Sequence, residues 1–226
     1  MIYIALIVPV IIGFGLVQLI KPNSKQLQLF LSFSGAYLLS ITVLHLIPEV
    51  FETQKKNIGL FILLGIVLQT GLEYLSKGAE HGHIHSHDFE KNIPWLLLVS
   101  LCIHAFLEGM PLGIGENNNL LYAIVIHKLP IAIILAMFLK NSALSKPVVF
   151  LVLFMFAAMS PAGSWVSANF DMIHAYEDQV NAIIIGVFLH ISTAILFESS
   201  ENHSFNARKF IAILVGFALA FISVNV

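Results

Sequence analysis

Long apolar runs separated by short polar breaks dominate the chain. Each run is about 18 to 23 residues, the length a helix needs to cross the hydrocarbon core of a bilayer. Eight can be drawn: Ile2–Ile20, Leu29–Phe51, Ile58–Ser76, Ile93–Gly115, Leu120–Leu139, Pro147–Phe170, Val180–Phe197 and Ala207–Val226. The pattern predicts an all-α polytopic membrane protein, a single transmembrane domain over residues 1–226 with a polar, His-rich loop at 77–92 inside it. The connection Glu116-Asn117-Asn118-Asn119 is short, so spans four and five are expected to be antiparallel neighbours. A short echo between Gly35-Ala-Tyr-Leu38 in span two and Gly186-Val-Phe-Leu189 in span seven fits a 3+2+3 inverted-repeat arrangement.

Composition narrows the picture. Hydrophobic residues make up 58% of the chain and charged residues 11%, where a soluble domain carries about a quarter charged. A net charge of -2 without a basic patch gives no partner role for nucleic acid. The single Cys102 lies inside span four, so neither an internal disulfide nor a Cys-based zinc framework is available. The first run lacks a positive n-region and a small-residue cleavage site, and reads as a retained span. Loops after the odd spans carry Lys21, Lys25, Lys77, Lys91, Lys140, Lys146, Arg208 and Lys209, whereas the opposite loops carry Lys55 and Lys56. The positive-inside rule then places the odd-side loops in the cytoplasm, with both termini outside a cell membrane. The outer loop Asp171 to Asp178 is acidic and contains His174, either as a cation-concentrating vestibule or as a solvated loop.

The polar residues inside the apolar runs carry the chemistry. His104 and Glu108 in span four are four apart, on one helical face, and His127 and Lys128 follow on span five. Ionisable groups at mid-depth cost several kcal/mol by most estimates and need a partner or a task. Two imidazoles and a carboxylate on adjacent helices make a divalent-metal site. Pro111 and Pro130 sit just beyond these donors, and helix breaks at membrane depth are expected where a cavity is lined. A buried His–Glu hydrogen bond joining two helices is the simpler reading, but it leaves four polar groups on two spans unexplained. Lys128 would neutralise Glu108 or supply a fixed positive charge where a second cation would bind, through the same salt bridge. His45 and Glu49, also four apart, sit toward the outer end of span two, as a receiving site or a helix-end cap. Glu198 near the inner end of span seven is an exit ligand or a helix end reaching the headgroups. His190 faces a central cavity or bonds a neighbouring helix, and Glu73 reads as interfacial. His81, His83, His85 and His87 alternate with small residues in the cytoplasmic loop, a pattern suited to capture, buffering or sensing of metal.

These residues resemble the ZIP (ZRT/IRT-like) family of divalent-metal transporters. The resemblance covers most of the chain and is strongest at His104-x-x-x-Glu108-Gly109 and His127-Lys128. The family's fourth span usually reads His-Asn-x-x-Glu-Gly, and Ala105 here replaces the Asn. Many members place a second ligand where this chain has Ile131, and members with a His-Lys pair are thought to keep one metal instead of two. His45-Leu-Ile-Pro-Glu49 is similar to the family's His-Leu-Leu-Pro-Glu. Ser160-Pro-Ala-Gly163 is similar to the small-residue segment of span six, and Gly186-Val-Phe-Leu-His190 to Gly-Thr-Phe-Leu-Tyr; Glu198 falls off the acidic pattern that follows. The resemblance implies uptake into the cytoplasm, elevator-like alternating access and often a homodimer.

The expected function is therefore a carrier of Zn²⁺ or a similar divalent transition metal. Imidazole favours Zn²⁺ over Mg²⁺ or Ca²⁺, which prefer oxygen, and protons compete with metal for the same donors. The alternative is an intramembrane zinc-dependent hydrolase, which lacks a spare carboxylate base and a His-Glu-x-x-His motif. A metal sensor without flux is a third reading.

Overall fold

Apolar side chains surrounded by lipid leave the backbone no hydrogen-bond partner but itself, and the chain answers with helices. The structure is a computed structural model that describes residues 1–20, 22–53, 55–76, 95–115, 118–197 and 206–225. Among them the elements are α1 (Ile2–Leu19), α2 (Ser24–Ile41), a π-helical segment (Thr42–Leu46), α3 (Ile47–Glu52), α4 (Ile58–Ser76), α5 (Trp95–Gly109), α6 (Pro111–Ile114), α7 (Asn118–Asn141), α8 (Lys146–Asn169), α9 (Asp171–Ala175), α10 (Glu177–Phe197) and α11 (Ala207–Asn225). There is no strand among the described residues. Eight helical stretches are long and apolar enough to cross a membrane, with α2 to α3 and α5 to α6 each counting as one.

The differences from the sequence-based bounds have local causes. Span two starts at Ser24 because the Asn23 side chain accepts the Lys25 backbone N–H at 2.9 Å, capping the helix before its polar first turn. Of the two breaks expected beside the donors, only one occurs. Span four is interrupted at Met110, where Pro111 opens α6 and the Met110 N–H turns back to the Leu107 carbonyl at 3.2 Å. Pro130 instead lies inside a continuous α7, so the carbonyl of Ile126 loses its helical donor without ending the helix.

The spans pack as two groups of four. In one, α7 and α8 lie on α1, and α5 with α6 lies on α8; in the other, α4 and α2 lie on α10, and α11 lies on α2. The groups meet where α2 touches α7 and α4 touches α5. Small residues set the closest crossings, as expected where lipid gives helices no hydrophobic reason to associate. A Cβ on Gly163 would strike the Phe106 carbonyl, and one on Gly109 the Ser160 carbonyl. On the other group, a Cβ on Gly65 would strike the Ile183 carbonyl, and one on Gly186 the Ile62 carbonyl.

These crossings reveal the repeat. Gly13 of α1 abuts Ala132 of α7, as Gly163 of α8 abuts Phe106 of α5; Gly216 of α11 abuts Ala36 of α2, as Gly65 of α4 abuts Gly186 of α10. The related pairs Gly13 and Gly163, Ala36 and Gly186, Gly65 and Gly216 stand 150, 150 and 151 residues apart. Spans one, two and three thus correspond to six, seven and eight, with opposite direction because an even number of spans, four, lies between each and its counterpart. The register pairs Ala36, not Gly35, with Gly186, one residue off the echo read in the sequence.

Two lysines close exposed helix ends. Lys140 Nζ donates to the Val17 carbonyl at 2.6 Å, and Lys209 Nζ to the Leu196 carbonyl at 2.8 Å, each meeting the negative end of a helix.

Candidate metal centre

The centre is built where α5, α7 and α8 converge. One helical turn separates His104 from Glu108, and the imidazole Nε2 stands 3.1 Å from the carboxylate Oε1. From α7, His127 Nε2 approaches the same oxygen at 3.8 Å. The two rings are 6.3 Å apart between centroids and inclined at 73°. One donor atom from each of His104, Glu108 and His127 can be chosen so that all lie within 4.8 Å of one another. Ligands in a tetrahedral zinc shell stand about 3.3 Å apart, given bonds near 2.0–2.1 Å. Two of the separations are close to that value, so side-chain rotations of about 1 Å would gather the set around one ion. Relative exposure is 0% for both histidines and 1% for Glu108, so the donors are shielded from bulk solvent.

Lys128 is equally buried. It does not form the ion pair with Glu108 expected from the sequence. The carboxylate faces the two imidazoles, and the lysine extends instead to α8. Nζ donates to Ser160 Oγ at 2.5 Å and lies 5.0 Å from the centroid of the Phe156 ring, within cation–π range. The Ser160 hydroxyl in turn donates to the Ala105 carbonyl of α5 at 2.7 Å. Ser167 makes a parallel link, donating to the Met110 carbonyl at 2.5 Å where span four breaks. Sequence reasoning quoted Ser160 only as part of a small-residue segment and passed over Phe156. The available signal was the spacing Gly109-x-x-x-Gly113 facing Ser160-x-x-Gly163, which marks a helix crossing close enough for side chain to meet backbone.

The other candidates stand elsewhere. His45, half-buried on the π segment, and Glu49 line a pocket of about 320 Å³ together with Glu177, Asp178 and Asn181. π segments recur at functional positions because they re-aim side chains. Lys55 forms an ion pair with Asp178 at the rim. Leu120 and Ile184 line the same pocket and belong to an apolar cluster with Leu38, Ile41, Ile124 and Phe188. His104, Glu108 and His127 do not line it. His190 bonds a neighbouring helix, the second of its two readings. Its Nε2 meets Glu73 of α4, and Nδ1 stands 3.4 Å from Thr70 Oγ1. The Thr70 hydroxyl gives its own proton to the Ile66 carbonyl at 2.8 Å. Glu73 is therefore tied to α10 rather than merely interfacial. Glu198 and the loop histidines His81, His83, His85 and His87 lie outside the described residues.

A buried His–Glu–His set between apolar spans is a donor set that could hold a divalent metal inside a membrane protein. The family model for the ZIP zinc transporter matches residues 77–223, and the chain belongs to that family. It is similar to protein zntD of Dictyostelium discoideum, 28% identical over 164 residues, covering 63% of this chain and 24% of that protein. It is similar to zinc transporter ZIP1 of Plasmodium falciparum, 23% identical over 275 residues, covering 83% of this chain and 76% of the relative. Zinc transporter ZIP1 of Danio rerio is 26% identical over 158 residues, covering 64% and 51%. The chain thus spans about a quarter of zntD and about half of the zebrafish protein. Family membership and eight apolar helices make it a multi-pass membrane protein of a transporter family, and the hydrolase reading has no support.

Proposed function

We propose that the protein carries a divalent transition metal, Zn²⁺ first, across the membrane into the cytoplasm, with His104, Glu108 and His127 as the ligands of one ion at mid-depth. The observation that carries this reading is the convergence of three buried donors from two helices, with ligand atoms within 4.8 Å of one another. Two neutral imidazoles and one carboxylate bring a single negative charge, which a divalent cation overcompensates, so binding is tight enough to select and weak enough to release. Lys128 supplies a fixed positive charge beside the set and holds the site to one metal.

The pocket lined by His45 and Glu49 serves as the receiving station, and apolar side chains such as Leu120 and Ile184 separate it from the donors. Alternating access follows if the group containing α5, α7 and α8 slides against the group containing α2, α4 and α10 along the faces where α2 touches α7 and α4 touches α5. The lysine-rich loops set the direction, toward a cytoplasmic side where His81, His83, His85 and His87 accept the metal and Glu198 lies on the way out. The termini face outside the cell membrane, and two copies pair as a homodimer. Protons compete for the same donors, so uptake weakens on acidification.

Radiolabelled Zn²⁺ uptake into proteoliposomes tests the reading. His104→Ala and His127→Ala should each lose uptake at micromolar Zn²⁺, and undiminished flux in both would overturn the ligand assignment.

A further inference from the structure

We propose that Ser160 is a positioning residue for the metal centre: it anchors the Lys128 ammonium on α8, away from Glu108, and so keeps the carboxylate open to the cation. The inference rests on the ligand assignment above and adds to it a residue that touches no metal.

The hydroxyl geometry carries the inference. Serine and threonine inside helices commonly bond back to the carbonyl one turn earlier. Ser32, Ser40, Thr42, Thr70 and Thr193 of this chain do so, at 2.6–2.9 Å. Ser160 departs from that habit. Its proton crosses to the Ala105 carbonyl on α5, next in sequence to the ligand His104. With the proton committed there, the oxygen presents only lone pairs to its other side, and Lys128 Nζ sits on them at 2.5 Å. The crossing does not slide easily, because Gly109 abuts the Ser160 carbonyl and Gly163 abuts the Phe106 carbonyl. Phe156, one turn before Ser160, presents its ring to the same ammonium.

The competing arrangement pairs Lys128 with Glu108. Lys128 is fully buried, and Glu108 is the one carboxylate below 2% exposure among the described residues. An ammonium released from Ser160 in so dry a place has one strong alternative, the Glu108 carboxylate that faces the two imidazoles. A lysine settled there would occupy an oxygen the metal needs and place a positive charge nearer the ion. The hydroxyl therefore separates two functions of the same short segment: His127 turned to the metal, Lys128 turned from it.

The test is Zn²⁺ uptake by the full chain in proteoliposomes, read as KM and kcat separately. Ser160→Ala should raise KM about tenfold or more, the order of one hydrogen bond to a charged group, with a smaller change in kcat. Ser160→Thr, which keeps the hydroxyl, should stay near wild type. Ser160→Ala added to Lys128→Met should raise KM little beyond Lys128→Met alone, a non-additivity that lost packing would not produce. A Ser160→Ala penalty as large in the Lys128→Met background as in wild type, or a Ser160→Ala KM equal to wild type while His104→Ala is inactive, overturns the proposal alone. Wild-type KM in His104→Ala overturns the ligand assignment beneath it. The metal-free structure of Ser160→Ala gives an independent reading. Lys128 Nζ is expected within 4 Å of the Glu108 carboxylate, and an ammonium still on α8 overturns the proposal whatever the flux.

Discussion

The two groups of four helices share a packing plan and differ in what they bury. Each is held by glycine crossings that recur at intervals of 150 or 151 residues, so α1 on α7 mirrors α8 on α5, and α4 on α10 mirrors α11 on α2. Yet the group with α5, α7 and α8 encloses His104, Glu108, His127 and Lys128 at 0–1% exposure. The ionisable side chains of the other group stand nearer the surface and pair among themselves, as His190 does with Glu73 and Lys55 with Asp178. The duplication lies within each group, and the fully buried ionisable side chains are confined to one of them. Close glycine crossings thus hold one group around costly buried charge and leave the other with its ionisable groups nearer the surface.

The largest effect that would break this comparison comes from Glu108. Glu108→Ala removes the oxygen that both imidazoles face and leaves Lys128 without a buried counter-charge. Zn²⁺ uptake should fall at least 100-fold, and cadmium, which accepts the same donors, should not restore it. Flux retained within a factor of a few would show that the buried charge has no part in transport. Next come the crossings. Gly163→Leu and Gly65→Leu each drive a side chain into a carbonyl, of Phe106 and Ile183 respectively. Overpacking of this kind costs about 1–3 kcal/mol. Thermal unfolding in detergent should show similar losses for both, because the added Cβ would stand 2.0 Å and 1.9 Å from those carbonyls. The sharper readout is flux in the surviving fraction, which Gly163→Leu alone should depress, since its crossing carries Ser160 beside the donors.

Much of this was legible along the chain. Span number and the pairing of His104 with Glu108 follow from run length and from helical periodicity, which depend on sequence alone. His127 joins the set because a short connection makes spans four and five neighbours. The direction in which Lys128 extends was not legible, because it is decided by a third helix that approaches through Gly109 and Gly163, and no local pattern states which face of α8 arrives there. For the same reason Glu73 and His190, 117 residues apart, gave no sign of meeting. Pro130 shows the opposite failure. Its local rule forecast a break, and packing of α7 against α1 and α2 keeps the helix continuous.

His190→Ala asks whether the second group is only a wall. The imidazole joins α10 to α4 through Glu73 and Thr70, with side-chain exposures near 20%, so its loss should cost about 1 kcal/mol or less. Unfolding should shift by a few degrees, and KM for Zn²⁺ should change less than threefold. A loss of uptake as deep as that of His104→Ala would move part of the chemistry into this group and end the comparison as drawn.

The smallest effect is expected at the outer rim. Lys55 pairs with Asp178 while remaining 48% exposed, so the bond itself adds about 0–1 kcal/mol of stability, most of it screened by salt. Its influence on transport is instead through charge. Lys55→Ala removes a positive group beside a pocket lined by Glu49, Glu177 and Asp178, leaving the mouth one unit more negative. A more negative mouth concentrates cations, and the gain must shrink as salt shortens the range of the field. Zn²⁺ uptake at low ionic strength should therefore show KM lowered by up to about threefold, with kcat unchanged, and the difference should vanish near 0.5 M salt, where the screening length is about 4 Å. If the benefit persists at high salt, the pocket acts by direct coordination instead of by attraction at a distance, and the second group takes a more intimate part in handling the metal than its exposed side chains imply.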